Sequence, residues 1–358
     1  MPTLPQKIHV GVAARVSSEY LDQVRTLDPE RIEVTYLQPH LLELLKGEWP
    51  ARTVERFLGG MIEEPLPAEE LDALLGRTHV LMLGNPFPKR VVGRMPELIW
   101  GHFNFAGVSN LMGSDWYGAE GPMITSSRGY ISPRPIAESV IAATMMFARR
   151  LDLAARNTKP GFDMSLDPPA LNVFGKTMGI IGMGGIGREV ATMAKGLGMR
   201  VVATRGTVTE VQHDVDGVDT VYPPSGLHEA LAQSDFIAVC AMWTPHTEGM
   251  LDEAAFAAVK QGAFFLNIAR DGLVVEPALI AALESGRLAG AYLDVWANDR
   301  TSPPAQALLD NPNVVCTPHI SHRGDVAQNL GLQVFLNNLA RLLKGEPLEN
   351  VIDWSRGY

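Results

Sequence analysis

The sequence predicts an α/β protein built on parallel sheets, and three observations carry that prediction. From Val173 onward, short apolar runs alternate with helical stretches, the runs falling at 178–182, 199–204, 235–240, 262–268, 289–295 and 313–317. Parallel strands need such intervening helices, because a parallel partner is reached only through a crossover. The first run leads straight into Gly182-Met183-Gly184-Gly185-Ile186-Gly187, which opens a helical segment before the second run. Strand, glycine turn, helix and strand within about 30 residues is the setting in which G-x-G-x-x-G has physical meaning. Finally, 358 residues are enough for two domains with separate cores.

In the glycine turn, Gly182 permits the tight bend, Gly184 lets the backbone approach a pyrophosphate, and Gly187 lets the helix pack against the strand. Met183, Gly185 and Ile186 complete the loop, and the free N–H groups of the helix start would face the phosphates. The middle of the chain therefore reads as a Rossmann dinucleotide-binding domain.

Taken in order, the chain opens with a short strand, Ile8 to Val12. Residues 38–76 hold charged helical stretches with Pro65 and Pro67, a local elaboration. Leu81 to Leu83 reads as a strand running into the turn-rich Gly84-Asn85-Pro86-Phe87-Pro88, and Leu98 to Phe105 as another that ends at Ala106-Gly107. Ser132-Pro133-Arg134-Pro135 breaks the pattern before a long apolar helix, Ile136 to Leu153, so the domain crossing is placed at 126–135. A final helix, Gln328 to Leu343, is stopped by Gly345 and Pro347, and its position suits a return to the first domain. The resulting division is 1–128, 129–321 and 322–358, the nucleotide domain being the middle piece.

Composition narrows the function. With 46% apolar and 20% charged residues the chain is ordinary for a globular enzyme. A formal charge of −10 with no basic cluster argues against nucleic acid as partner. No apolar run approaches the roughly 18 residues of a membrane span. Cys240 and Cys316 alone make no disulfide framework, and MPTLPQKIHV lacks a signal-peptide layout, so a cytoplasmic protein is expected.

Ligands of open parallel sheets sit beyond the carboxyl ends of the strands, and several chemically useful residues fall there. Arg270 follows 263–268, Asp294 ends 290–293 with Asp299 in the loop beyond, and His319 follows 314–317. An arginine can hold a carboxylate through two parallel hydrogen bonds. A histidine can exchange a proton with a carbonyl oxygen, and a neighbouring acid favours its charged form. His322 makes H-x-x-H with His319 but lacks a third ligand, so no metal is expected, and His246 is expected to face solvent.

These residues resemble a family, the D-isomer-specific 2-hydroxyacid dehydrogenases, including its glyoxylate/hydroxypyruvate reductases. The resemblance lies in Gly179 to Gly187, Thr244-Pro245-His246-Thr247, Asn267-Ile268-Ala269-Arg270, Gly290 to Val295 and Thr317-Pro318-His319-Ile320. Ala137-Glu138 and Asn350-Val351-Ile352-Asp353 also match. It covers most of 95–358 and is weak before residue 80.

The resemblance implies a Rossmann dinucleotide-binding domain inserted into a flavodoxin-like substrate domain, and hydride transfer between a nicotinamide and C2 of a small 2-oxo or 2-hydroxy acid. It implies that Arg270 binds the substrate carboxylate, helped by backbone N–H groups of Ala106 and Gly107, that His319 carries the proton, and that Asp299 is its acid. Asp294 matches a position that holds the nicotinamide carboxamide, and Thr244 and Ala269 border the cofactor. The long helix would join a homodimer through the nucleotide domain; core packing explains its apolar face equally well.

This chain departs from the family at several positions. Asp299 stands where glutamate is usual, one methylene shorter, whereas the related formate dehydrogenases typically carry glutamine. Asp271 replaces a glycine after the arginine, and Met242-Trp243 replace Pro-Leu. The second Rossmann strand ends Ala203-Thr204-Arg205 where NAD-preferring members carry an acid. An arginine there can pair with a 2′-phosphate, so NADP is expected ahead of NAD, with Thr204 and Thr207 as lesser contacts. Rival readings are a formate or phosphite dehydrogenase of the same superfamily, and a dinucleotide-sensing binding protein of the co-repressor kind. Phe87, Phe103, Phe105 and Trp296 are candidates for the substrate pocket wall.

Overall fold

The computed structural model of the chain describes residues 4–58, 65–131, 133–156, 169–299, 302–325 and 330–357. It divides into two compact units, Met1–Ile131 with Gln328–Tyr358, and Ser132–Ala327. The second is an insertion in the chain of the first.

The first unit is built on β1 (Ile8–Ala13), β2 (Ile32–Tyr36), β3 (Val80–Leu83), β4 (Trp100–Phe103) and β5 (Met123–Ser126). They pair in the order β2-β1-β3-β4-β5, all parallel, which is the flavodoxin-like order. β3 and β4 are buried along their whole length, and β3 reads VLML because both its faces are covered. Val10, Val12, Val80, Met82 and Trp100 pack with Phe335 and Leu339 of the helix Leu330–Lys344, and Trp100 stacks on Phe335 at 5.0 Å. The late helix thus belongs to the first unit; residues 328–329 of its expected span lie outside the described residues. Of the expected helical stretch at 38–76, Leu42–Leu45, Ala51–Leu58 and Ala68–Gly76 are helices, and 59–64 lie outside the described residues.

One polar network crosses this core. His102 is fully buried, its Nδ1 2.8 Å from Thr125 Oγ1 and its Nε2 3.0 Å from Ser127 Oγ. Ser127 Oγ donates to the Gly331 carbonyl at 3.3 Å, so it accepts from Nε2–H, and Thr125 donates to Nδ1 while accepting from Trp100 Nε1. A neutral imidazole fits this set, and burial pushes the His102 pKa down to about 3.

The second unit holds β6 (Thr177–Ile181), β7 (Arg200–Thr204), β8 (Gln212–Val215), β9 (Val218–Tyr222), β10 (Phe236–Val239), β11 (Ala263–Asn267), β12 (Leu288–Leu293) and β13 (Val314–Cys316). Their order is β13-β12-β11-β10-β6-β7-β9-β8. The stretch β9-β7-β6-β10-β11-β12 is the Rossmann order 3-2-1-4-5-6; only β8 runs antiparallel, against β9. The β8–β9 turn puts Asp216 and Gly217 at φ 53° and 75°, the pair of positive values a tight hairpin needs.

Each face of this sheet has its own core. On one, Val140 and Phe147 of the helix Pro133–Ala148 and Val190 and Ala194 of the helix Gly185–Gly196 cover Met178, Ile180, Phe236 and Phe264. On the other, Leu231, Phe256 and Leu279 cover Ile181, Ile237 and Phe265. Phe147 stacks on Phe264 at 5.1 Å, so the apolar face of the long helix is spent on core packing. Fully burying such a side chain stabilises by about 1.5–3 kcal/mol. The helix starts earlier than the prolines suggest, at Pro133, because a missing N–H costs nothing in a first turn. It also stops at Ala148, and a second helix, Leu151–Arg156, follows Arg150 at φ 55°.

Candidate active site

The glycine turn follows β6, at the point where the strand order reverses. Gly182 has φ 103°, and a Cβ there would lie 2.6 Å from the Ala241 backbone. A Cβ on Gly187 would meet the Gly182 carbonyl at 2.4 Å, which is the close helix–strand approach expected of that glycine. At Gly184, the N-cap of the helix Gly185–Gly196, a Cβ would meet nothing within 4 Å. The space beside Gly184 is thus open at a helix start whose first N–H groups lack helical acceptors. The turn is tied to β7: Gly182 N–H donates to Thr204 Oγ1 at 3.2 Å, and Met183 N–H to the Thr204 carbonyl at 3.0 Å. Thr204 is buried and braces the turn, and the Met183 side chain packs into the core.

Three adjacent strands, β11, β12 and β13, deliver the other polar residues to the same sheet edge. After β11, buried Asn267 clamps the turn that carries Arg270: its Oδ1 accepts from Ala269 N–H at 3.1 Å and its Nδ2 donates to the Arg270 carbonyl at 3.2 Å. Arg270 Nη1 donates to the Ala269 carbonyl at 2.7 Å, and the residue is half-buried.

After β13, His319 sits at φ 53°, a conformation that costs a non-glycine residue on the order of 1–3 kcal/mol. Asp294, fully buried at the end of β12, holds it there. The Asp294 carboxylate accepts from Thr317 Oγ1 at 2.6 Å and from the N–H groups of Ile320 and Ser321 at 2.9 Å, and its carbonyl accepts from His319 N–H at 3.0 Å. Asp299 Oδ2 lies 2.7 Å from His319 Nδ1, so the shorter acid does reach the imidazole. Asp299 is 9% exposed and His319 33%. With Nδ1–H donated inward to the carboxylate, Nε2 is left for a reactant.

The loop carrying Asp299 has two further supports that the sequence did not reveal. Asp271 Oδ2 accepts from Asn298 N–H and Glu276 Oε2 from Ala297 N–H, each at 3.1 Å. Asp271 therefore points its charge at a backbone donor. Trp243 lies against Gly272, where a Cβ would meet its ring at 2.2 Å. Thr244, also buried, accepts from His246 N–H at 3.2 Å inside its own loop. Arg205, one residue past β7, pairs with Asp216 at 3.1 Å. Among the described residues no three His, Cys, Asp or Glu side chains gather as a metal site, and no helix is long and apolar enough to cross a membrane.

The sequence profile described as "D-isomer specific 2-hydroxyacid dehydrogenase, NAD binding domain" matches residues 141–321, about half the chain. The chain belongs to the D-isomer specific 2-hydroxyacid dehydrogenase family. The matched stretch contains the glycine turn, Arg270, Asp299 and His319. Among curated members, D-3-phosphoglycerate dehydrogenase of Archaeoglobus fulgidus is 35% identical over 218 residues, which are 61% of this chain and 40% of that protein. The chain thus spans about two fifths of the length of the curated relatives it matches.

Two solved structures extend the likeness in fold to both units. A D-isomer specific 2-hydroxyacid dehydrogenase from Xanthobacter autotrophicus Py2, in complex with NADPH and MES, aligns with TM-score 0.73 at 22% identity, covering 99% of this chain and 100% of that one. The NADPH-dependent glyoxylate/hydroxypyruvate reductase of Sinorhizobium meliloti, in complex with NADP and sulfate, aligns with TM-score 0.72 at 24% identity, covering 98% and 100%.

The family's other expected residues lie in the first unit, where Ala106 and Gly107 follow β4. Two of the aromatic residues proposed for a pocket wall are core instead. Phe87 and Phe103 are fully buried, 5.2 Å apart, and Phe103 packs on Trp116 at 5.4 Å. Phe105 is half-buried against Phe87, and Trp296 is held by its Nε1 donating to the Ser302 carbonyl.

Proposed function

We propose that the protein is an NADP(H)-preferring oxidoreductase that interconverts a 2-oxo acid and a D-2-hydroxy acid, working as a reductase of glyoxylate- or hydroxypyruvate-like acids. The observation that carries this reading is the His319–Asp299 pair, 2.7 Å apart, on the sheet edge that also bears Arg270 and the glycine turn. The open backbone at Gly184 and the helix start suit a pyrophosphate, and Gly182 to Gly187 with Arg205 would hold the dinucleotide. When bound, the nicotinamide supplies the hydride.

The chain's own residues do the rest. Arg270 pairs with the substrate carboxylate and polarises the neighbouring carbonyl. His319 gives its Nε2 proton to the carbonyl oxygen during reduction and takes it back during oxidation. Asp299 fixes the ring through Nδ1. Asp294 and Asn267 act through the loops they pin.

The NADPH-dependent activity named for the S. meliloti reductase supports the cofactor and substrate choice, as does Arg205 at the end of β7. Free Cys240 and Cys316 support a reducing, cytoplasmic setting. A homodimer joined through the nucleotide unit belongs to the same reading, as the family resemblance implies.

The test is oxidation of NADPH and NADH by the purified protein with glyoxylate, hydroxypyruvate, pyruvate and phenylpyruvate. Turnover faster with NADPH on the small acids is expected. Turnover confined to NADH would end the NADP(H) assignment, and tight cofactor binding with no turnover on any acid would end the reductase assignment.

A further inference from the structure

Arg205 and Arg188 share a single carboxylate, that of Asp216. Arg205 leaves the carboxyl end of β7, Arg188 lies in the first turn of the helix Gly185–Gly196, and Asp216 forms the tip of the β8–β9 hairpin. Arg205 Nη1 donates to Asp216 Oδ2 at 3.1 Å, and Arg188 Nη2 lies 3.7 Å from the same oxygen. Three elements separated in sequence therefore converge on one carboxylate. The glycine turn is tied to that same strand end through Thr204.

The cluster carries one positive charge in excess, and its members are 28% (Arg205), 52% (Arg188) and 43% (Asp216) exposed. Ion pairs this open to water are weak. A phosphate dianion brings more charge and more acceptor oxygens than one carboxylate, and it can engage both guanidinium groups at once. We infer that Arg188, Arg205 and Asp216 form the subsite for a cofactor 2′-phosphate, in which the Asp216 carboxylate keeps the two arginines together and gives way to the phosphate. The inference rests on the NADP(H) reading above and adds Arg188 and Asp216 to it. With NAD(H), which has no phosphate at that position, the aspartate keeps its place between the arginines. Asp216 thereby sets how far the site favours one cofactor over the other.

Equilibrium dissociation constants for NADPH and NADH, measured by calorimetry on the full chain, test this in Arg188→Met, Arg205→Met and Asp216→Asn. Losing one charge-assisted contact should weaken NADPH about tenfold in Arg188→Met, with NADH affinity held as the control for folding. Asp216→Asn should tighten NADPH and leave NADH alone. If Arg205→Met weakens NADPH while Arg188→Met and Asp216→Asn do nothing, the subsite is overturned and the NADP(H) reading stands. If Arg188→Met weakens both cofactors equally, or Asp216→Asn weakens NADPH, the subsite is overturned as well. If the unaltered protein prefers NADH and Arg205→Met leaves NADPH affinity unchanged, the NADP(H) reading itself has failed.

Discussion

At the scale of single residues, the proposed chemistry divides between a group that holds substrate and one that moves a proton, and kinetics can separate them. Arg270→Ala removes a carboxylate contact made in the ground state, which raises KM, and the polarisation of the carbonyl that strengthens in the transition state, which lowers kcat, so both should change together. His319→Ala removes the proton carrier alone and should lower kcat by about 10²–10⁴ with KM little changed. Steady-state rates across substrate concentration decide it, and a His319→Ala protein with full turnover would remove the histidine from the mechanism. Arg270 and His319 were legible because each follows an apolar run read as a strand, whereas Asp299, in the loop beyond Asp294, was reached as the acid through the family resemblance. The partners of Asp294 and Thr204 were not legible. Asp294 binds the backbone of Ile320 and Ser321 and Thr204 that of Gly182, and loop backbone direction leaves no mark on side-chain spacing.

At the scale of elements, the loop 296–299 is held from below by two carboxylates, Asp271 on Asn298 and Glu276 on Ala297. Asn298, next to Asp299, sits at φ 59°, so the loop spends backbone energy to aim Asp299. Asp271→Ala should therefore loosen the Asp299–His319 pair and lower kcat about tenfold, the equivalent of one lost hydrogen bond of about 1.4 kcal/mol. Asp271→Asn keeps an acceptor oxygen and should restore most of the rate. Equal losses in both variants would show that the charge of Asp271, and not its hydrogen bond, matters to the site. The same scale explains which strands could be read. β6, β10 and β11 are covered on both faces and are nearly pure apolar runs. β2 and β8 lie at sheet edges and carry Glu33, Gln212, His213 and Asp214, so no apolar run announces them. The hairpin that presents Asp216 was invisible for that reason.

At the scale of the whole molecule, separate cores mean that acid and cofactor act on different parts of the chain. His102, in the first unit, is neutral in the fold with its pKa pushed down from 6.5 to about 3 by burial. The unfolded chain takes up that proton below about pH 6.5 while the folded chain does not. Its contribution to stability is therefore complete above about pH 6.5 and falls as pH drops towards 3, by up to about 1.4 kcal/mol per pH unit. Cofactor, in the proposed reading, binds the glycine turn of the second unit and stabilises it by about 2.7 kcal/mol at a hundredfold excess over Kd. Calorimetric scans at pH 7.5 and pH 5, with and without NADPH, should show acid lowering one transition and cofactor raising another. A His102→Gln variant, which keeps hydrogen-bonding capacity but cannot take up the proton, should lose much of the acid sensitivity and none of the cofactor shift. If acid sensitivity persists unchanged in that variant, the buried imidazole is not its source. A single transition moved equally by acid and by cofactor would mean that the two cores melt as one.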